Sequence, residues 1–185
     1  MNKTSLFDCV IFEGPDGAGK STIIDTLVGY DDRCLGYHSG GTVNNMADLA
    51  RRLQENYRFI KTNKKRLVLL DRMTLISEQV YGPIIRDGSL ITYDLARLHL
   101  YAFSPIIVYC RPEGRIIEEN LEQQREKAHK SQEHIDKIIL KSGEIVIAYD
   151  DLMEALSQSF MVIPYDYGRA DETDSLYDLI KCVVS

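Results

Sequence analysis

Short apolar runs alternate along this chain with longer stretches in which apolar residues recur every three or four positions. Leu6–Phe12 is continuous and rich in Val, Ile and Phe, the pattern of a strand buried on both faces. Leu67–Leu70, Ile106–Cys110 and Phe160–Ile163 read the same way, and Arg33–Tyr37 is a weaker run. Between them, Met46, Leu49, Ala50, Leu53, Tyr57 and Ile60 fall at helical spacing,. So do Ile145, Tyr149, Leu152 and Leu156, and then Leu176, Leu179, Ile180 and Val183. Strands alternating with helices predict right-handed βαβ units, hence an α/β fold with a parallel sheet covered on both faces. With no internal repeat and no linker-like stretch, residues 1–185 read as a single domain. The exception to the pattern is Gln123–Lys141, which is polar for long and weakly periodic, with Ile135, Ile138 and Ile139 among its few apolar members.

Composition narrows the possible partners. Hydrophobic residues are 44% and charged residues 27% of the 185 positions, as in ordinary globular proteins,. A net charge of −6 argues against a broad basic face that wraps nucleic acid,. It leaves room for a small basic pocket. Cys9, Cys34, Cys110 and Cys182 are far apart, with no C-x-x-C pair and no His at zinc-like spacing,. Lys3, Asp8 and the Gly-rich sequel do not read as a secretory leader,. No run approaches the roughly 20 apolar residues that a membrane span needs. These features predict a reducing, cytoplasmic setting.

The chemistry concentrates in Gly14-Pro15-Asp16-Gly17-Ala18-Gly19-Lys20-Ser21, a match to the Walker A pattern G-x-x-x-x-G-K-[ST],. It follows a predicted strand and opens the helical run Thr22–Val28, the context in which such a loop cradles phosphates. Small residues let successive backbone N–H groups point into one concavity, and a helix N-terminus adds positive potential to it. Lys20 can reach the β- and γ-phosphates of ATP, and the Ser21 hydroxyl can ligate Mg²⁺. Asp71-Arg72 closes the strand Leu67–Leu70 at the sheet edge where doubly wound folds bind ligands,. Asp71 can hold Mg²⁺ through water, and Arg72 can clamp an acceptor phosphate with its fork. A structural Asp–Arg pair is the competing reading. No Asn-Lys-x-Asp guanine-reading motif follows late in the chain, since Asn63-Lys64-Lys65-Arg66 has neither the pattern nor the position.

Phe12-Glu13-Gly14-Pro15-Asp16-Gly17-Ala18-Gly19-Lys20-Ser21-Thr22 resembles the opening of thymidylate kinases, and Asp71-Arg72 falls where that family carries Asp-Arg. Ser77 and Tyr81 resemble the Ser and Tyr that follow, and Tyr149 and Leu152 fall on a matching late helix. The resemblance implies a three-layer P-loop kinase fold with five parallel strands in the order 2-3-1-4-5 and a lid at about 123–141. It implies transfer of the ATP γ-phosphate to a (deoxy)nucleoside monophosphate, dTMP or another dNMP. The donor would be held by Gly14, Asp16, Gly17, Ala18, Gly19, Lys20, Ser21 and Thr22. Mg²⁺ would sit on Ser21 and Asp71. Lys20, Asp71, Arg72 and Arg125 would carry catalysis, and His38, Ser39, Arg51, Arg72, Ser77, Tyr81 and Arg97 would meet the acceptor. Some family members place an Arg in the loop where Gly17 stands here. Others bring bases from the lid, which points to Arg125 and Lys127, with Lys130 behind them. Interleaved glutamates leave a solvated helix with i,i+4 pairs as the competing reading of that segment.

Three departures from the family all touch the acceptor. Its Arg-Glu-Pro is replaced by Tyr37-His38-Ser39-Gly40-Gly41-Thr42. Ser77 lies one residue further from Asp71, and the helix after the second strand lacks the aromatic that stacks on thymine, although Arg51 falls near the family's acceptor arginine. A small divergent enzyme of this kind is similar to bacteriophage nucleotide kinases. The family's members are commonly dimers, but periodicity does not identify helices that would pair. Small nucleotides are the expected partners, without stable nucleic-acid or membrane binding. Arg86, Arg111 and the turn Tyr165–Ala170 are lesser candidates, each equally readable as ordinary surface or turn chemistry. Glu13 reads as an orienting residue rather than a base. A kinase of deoxynucleosides or polynucleotide 5′-hydroxyls stays open, as does a P-loop regulator without turnover.

Overall fold

β-Branched and aliphatic side chains fill the strands Cys9–Glu13 (β1), Cys34–His38 (β2), Leu67–Asp71 (β3), Pro105–Cys110 (β4) and Met161–Tyr165 (β5). The computed structural model describes residues 7–39, 43–126, 132–166 and 172–184. Its helices are Lys20–Tyr30 (α1), Met46–Thr62 (α2), Thr74–Arg86 (α3), Tyr93–Tyr101 (α4), Gly114–Glu126 (α5), Gln132–Leu140 (α6), Ser142–Ser157 (α7) and Glu172–Val184 (α8). The strands pair in parallel in the order β2-β3-β1-β4-β5, as expected. Central β1 is buried along its whole length, and its side chains alternate between two apolar layers,. Cys9 and Ile11 join Leu49, Ile60, Leu75, Ile76, Tyr149 and Leu156. Val10 and Phe12 join Ile23, Ile24 and Leu27 of α1, with Leu176 and Ile180 of α8. No helix among the described residues is long and apolar enough to cross a membrane.

The first strand runs from Cys9 through Glu13 rather than from Leu6, which lies outside the described residues. The periodic set predicted for α2 mixes two faces. Leu49 and Ile60 are buried, whereas Met46 and Tyr57 are about half exposed, and the inward row is Leu49, Arg52, Asn56 and Ile60. Two polar residues on that row hide the true face from a hydrophobicity pattern. The stretch 123–141 is helical on both sides of residues 127–131, which lie outside the described residues. Ile135 and Ile138 of α6 are buried, and Lys137 Nζ donates to the Ile85 carbonyl at the end of α3.

The ends of α2 and α3 are fastened together above the sheet. Arg86 donates to the Val43 carbonyl and pairs with Glu78, which is 3% exposed and also accepts from Leu90 N–H at 2.8 Å. Because α2 runs back from the carboxyl edge of the sheet, its first turns stand beside the cleft at that edge. Leu70 lies next to the end of β3 with no exposure, while Leu98 of α4 is 66% exposed. Leu70→Ala should lower unfolding free energy by about 2–5 kcal/mol, and Leu98→Ala should stay within about 0.5 kcal/mol of the parent. Urea unfolding of both variants checks the assignment of the buried layer.

Candidate functional site

The turn between β1 and α1 has a backbone that only small residues permit. Gly14 has φ 144°, and a Cβ there would stand 2.3 Å from the Cys110 carbonyl oxygen of β4. Gly17 has φ 81°, and its Cβ would stand 2.7 Å from the Ile117 carbonyl oxygen of α5. Gly19, at φ 75°, is the N-cap of α1. The first N–H groups of α1 therefore open toward the loop, at the positive end of the helix. Lys20 is 6% exposed, and its ammonium donates to the carbonyls of Gly14 at 3.1 Å and Pro15 at 2.5 Å. Burial, and then the charge of nearby Arg72, pull its pKa down to about 8. Ala18 is fully buried beneath the loop, and Thr22 continues α1, accepting from Thr26 Oγ1 at its carbonyl.

Behind the loop, Glu13 ends β1 with no exposure. Its carboxylate accepts from Met73 N–H at 2.6 Å, Ser77 Oγ at 3.2 Å and Tyr149 Oη at 3.2 Å. Burial raises its pKa against the opposing pull of Arg72, the Met73 amide and Lys20. Arg72 sits beside it in the left-handed region at φ 70°, a costly conformation for a residue with a side chain. Its backbone N–H donates to Phe12 O at 3.0 Å. Its guanidinium donates to Tyr149 Oη at 2.7 Å, Asp16 Oδ1 at 3.2 Å and Tyr81 Oη at 3.3 Å, and stacks 5.1 Å from the Tyr81 ring centre. Tyr81 in turn accepts from Asp16 N–H at 2.9 Å. Ser77 and Tyr81 thus hold Glu13, Arg72 and the loop together.

Asp71 ends β3 facing α1. Ser21 Oγ donates to its Oδ2 at 2.5 Å, and His38 Nδ1 lies 3.0 Å from the same oxygen. The other ring nitrogen of His38 lies 3.2 Å from Asp25 Oδ1, and Ser39 Oγ donates to the Asp71 carbonyl at 2.8 Å. Burial works to raise the Asp71 carboxyl, yet the Ser21 hydroxyl, the Lys20 charge and His38 hold it below its ordinary value. The Ser21 hydroxyl and the ionised Asp71 carboxylate are hard oxygen donors on adjacent elements, which is the donor chemistry that suits Mg²⁺. Sequence reasoning passed over Asp25, one helical turn beyond Ser21, and the i,i+4 spacing was the available signal.

The remaining candidates separate into those near this cluster and those elsewhere. Arg51 points outward and pairs with Glu55 at 3.0 Å and Asp48 at 3.8 Å. The arginine that turns inward is the next one, Arg52, which is 9% exposed. Its Nε and the Oδ1 of Asn56 are the buried side-chain polar atoms without a hydrogen-bond partner among the described residues. Asn56 Nδ2 lies 3.3 Å from Met73 Sδ, at the level where β3 leaves the sheet. Arg52, one turn nearer the start of α2, therefore stands just above the sheet edge. Sequence reasoning missed both because they interrupt the apolar stripe.

Arg97 pairs with Asp94 at 4.0 Å and approaches Ser159 Oγ at 3.5 Å, so its partners lie outside the loop cluster. Arg125 bridges Glu122 at 3.6 Å and Asp136 at 3.1 Å, joining α5 to α6. Arg111 forms a two-pronged pair with Asp150, which also accepts from Tyr109 Oη at 2.6 Å. Lys127, Lys130, the turn 40–42 and positions 167–170 lie outside the described residues.

No protein-family model and no curated protein matches the chain. Among solved structures it is similar to the YorR protein of Bacillus subtilis in complex with phosphorylated GDP, with 20% identity, a TM-score of 0.64 and 95% of each chain covered. It is also similar to deoxyadenosine kinase of M. mycoides with dCMP and dCDP bound, at 14% identity and TM-score 0.56, covering 94% and 97% of the two chains. Thymidylate kinase of Ehrlichia chaffeensis matches at 15% identity and TM-score 0.55, over 96% and 98%. At such identities the likeness establishes the fold, which is the P-loop kinase fold.

The depressed Lys20 ammonium carries a pH dependence. Between about 8 and its ordinary 10.5, the unfolded chain binds the proton that the folded chain releases. This group's contribution to stability therefore rises with pH across that window. An anion held by the ammonium shows the opposite trend, so affinity for sulfate, a probe that does not itself titrate, should fall on the order of tenfold between pH 7.5 and 9.5. Calorimetry across that range checks it, and Lys20→Met should flatten the profile.

Proposed function

We propose that the chain is an ATP- and Mg²⁺-dependent kinase of (deoxy)nucleoside monophosphates, with dTMP or another dNMP as acceptor. The observation that carries this reading is the pair of neighbouring, largely enclosed cations at the carboxyl edge of the sheet, Lys20 from the loop (6% exposed) and Arg72 from the end of β3 (side chain 17% exposed). They lie near enough that the Arg72 charge depresses Lys20. Two such charges favour two anions, a donor phosphate on the loop and an acceptor phosphate on the Arg72 fork. An anionic acceptor phosphate needs no strong base. In agreement, Glu13 is engaged by Met73, Ser77 and Tyr149, and Asp71 by Ser21 and His38. A hydroxyl acceptor requires a carboxylate free to take its proton.

In this reading the loop amides and Lys20 hold the β- and γ-phosphates, and Arg72 aligns the acceptor while Tyr81 and Tyr149 hold its guanidinium in place. Ser21 and Asp71 would hold Mg²⁺, which neutralises charge on the donor phosphates when bound. Positioning and preorganised charge then supply most of the rate. The steric fit of Gly17 against Ile117 leaves no room for an arginine in the loop. Further positive charge on the transferred group would come from the segment 123–141 acting as a lid of the single domain. Arg125 would serve there only on leaving Glu122 and Asp136.

The orphaned atoms of α2 supply the base reading. Arg52 Nε, which can only donate, and Asn56 Oδ1, which accepts, lie on one row of α2 a turn apart, and such a pair would complement a ring carbonyl next to a ring N–H once that edge replaced the present packing,. Thymine and guanine present that edge. Adenine and cytosine turn an amino donor toward the arginine instead. Arg52 thus replaces Arg51 as the acceptor arginine on α2.

A panel of monophosphates, nucleosides and 5′-hydroxyl DNA with ATP and Mg²⁺ tests the assignment by ADP release. Monophosphates alone should be converted, and Lys20→Ala should slow turnover by roughly 10²-fold or more. Turnover with nucleosides alone rejects the reading, and ATP binding without any turnover supports a regulator. Within the panel, dTMP and dGMP should exceed dAMP and dCMP in kcat/KM by about tenfold or more, and Arg52→Met should erase the difference. Equal use of all four bases by the parent enzyme would remove the base reading while leaving the reaction intact.

A further inference from the structure

The crest of the phosphate loop is held from outside by a helix that the reaction itself does not require. Asn120 of α5 donates from Nδ2 to the Gly17 carbonyl at 2.7 Å. The same stretch of α5 lies so close that a Cβ on Gly17 would meet the Ile117 carbonyl oxygen at 2.7 Å and Leu121 Cγ at 3.3 Å. Ile117 and Leu121 are each 1% exposed, so the backbone that presents Asn120 is anchored in the core. Lys20 works on other carbonyls of the loop, those of Gly14 and Pro15. Asn120 and Lys20 therefore hold different peptides of one turn.

We propose that Asn120 is a positioning residue of the donor site, one that fixes the Gly17–Ala18 peptide and so sets the strength of the phosphate cradle. The physical reason lies in the peptide dipole. A loop binds phosphate because its N–H groups converge, and one peptide turned over would aim a carbonyl oxygen at the anion. Gly17, with φ 81° and no side chain, has the conformational freedom to make that turn. The amide of Asn120 holds the carbonyl on the α5 side. Ala18 N–H is correspondingly kept within the loop, where it reaches Pro15 O at 3.3 Å. This inference rests on the donor half of the proposed reaction and is independent of the acceptor.

The test uses the full chain with ADP and adenosine as probes. Asn120→Leu removes the donor at similar size, and Asn120→Asp keeps the shape but sets a carboxylate against the Gly17 carbonyl. With the net worth of one hydrogen bond at stake, Asn120→Leu should weaken ADP binding by about three- to tenfold in calorimetry, and Asn120→Asp by more. Adenosine binding, followed by ligand-observed NMR, should stay within about twofold, because it has no phosphate to feel the cradle. A merely structural role would weaken both probes together. Parent-like ADP affinity in Asn120→Asp overturns the proposal, as does an equal loss for ADP and adenosine. If Asn120→Leu fails to fold, the Asn120→Asp comparison decides alone. ADP binding is read without any acceptor, so a chain that binds ADP but phosphorylates no monophosphate would reject the function and not this inference.

Discussion

A carboxyl group with no access to water, Glu13 at the end of the central strand, is the constraint from which the cleft is built. An unpaired buried charge would be prohibitively unfavourable, so its surroundings must supply donors and positive potential. They come from the start of α3 and from α7: the Met73 amide, the Ser77 hydroxyl and the Tyr149 hydroxyl. The Met73 amide reaches Glu13 because the preceding residue, Arg72, turns the chain through the left-handed region. That turn also aims the Arg72 guanidinium back at Asp16, Tyr81 and Tyr149. Glu13 thus fixes Arg72, and Arg72 ties β3 and α7 to the loop. Removing one partner would leave buried charge behind, which is the expensive way to break such a network.

The same constraint explains how an acidic chain can gather positive charge in one place. The net charge of −6 describes the whole molecule, whereas the cleft presents Lys20 and Arg72 from protected positions. Lys20 has carbonyl partners, and Arg72 divides its donors between the Asp16 carboxylate at 3.2 Å and two tyrosine hydroxyls. Charge in a partly desolvated cleft acts more strongly than the same charge in water. Local arrangement decides what is bound.

What could be read from residues alone follows from how each feature is encoded. Parallel strands announce themselves because both faces are buried, so Ile106–Cys110 and Leu67–Leu70 are continuous apolar runs,. The loop is legible because Gly14 and Gly17 occupy conformations and spaces that exclude a Cβ. The orientation of α2 was illegible for a complementary reason. Its inward row contains Arg52 and Asn56, and a pattern built on hydrophobicity assigns such residues to the outside. Tyr149 fell on a predicted apolar stripe, yet its hydroxyl joins Glu13 to Arg72 across 136 and 77 positions of sequence. Contacts at that separation have no local signature.

The sterics at Gly17 connect these points. A loop with an arginine at its crest would carry its own charge to the transferred group. Here α5 occupies that space with the Ile117 carbonyl and the Asn120 amide, so the loop is braced and no side chain can grow from it. Rigidity of the donor cradle and absence of a resident crest cation are therefore two results of one packing choice. The far end of α5 carries Arg125, which meets Glu122 and Asp136. Those pairs are half-exposed and individually weak, so exchanging them for a phosphoryl group costs little. In the proposed reaction, a braced loop with exchangeable outer charge would let the donor be held firmly while product still leaves.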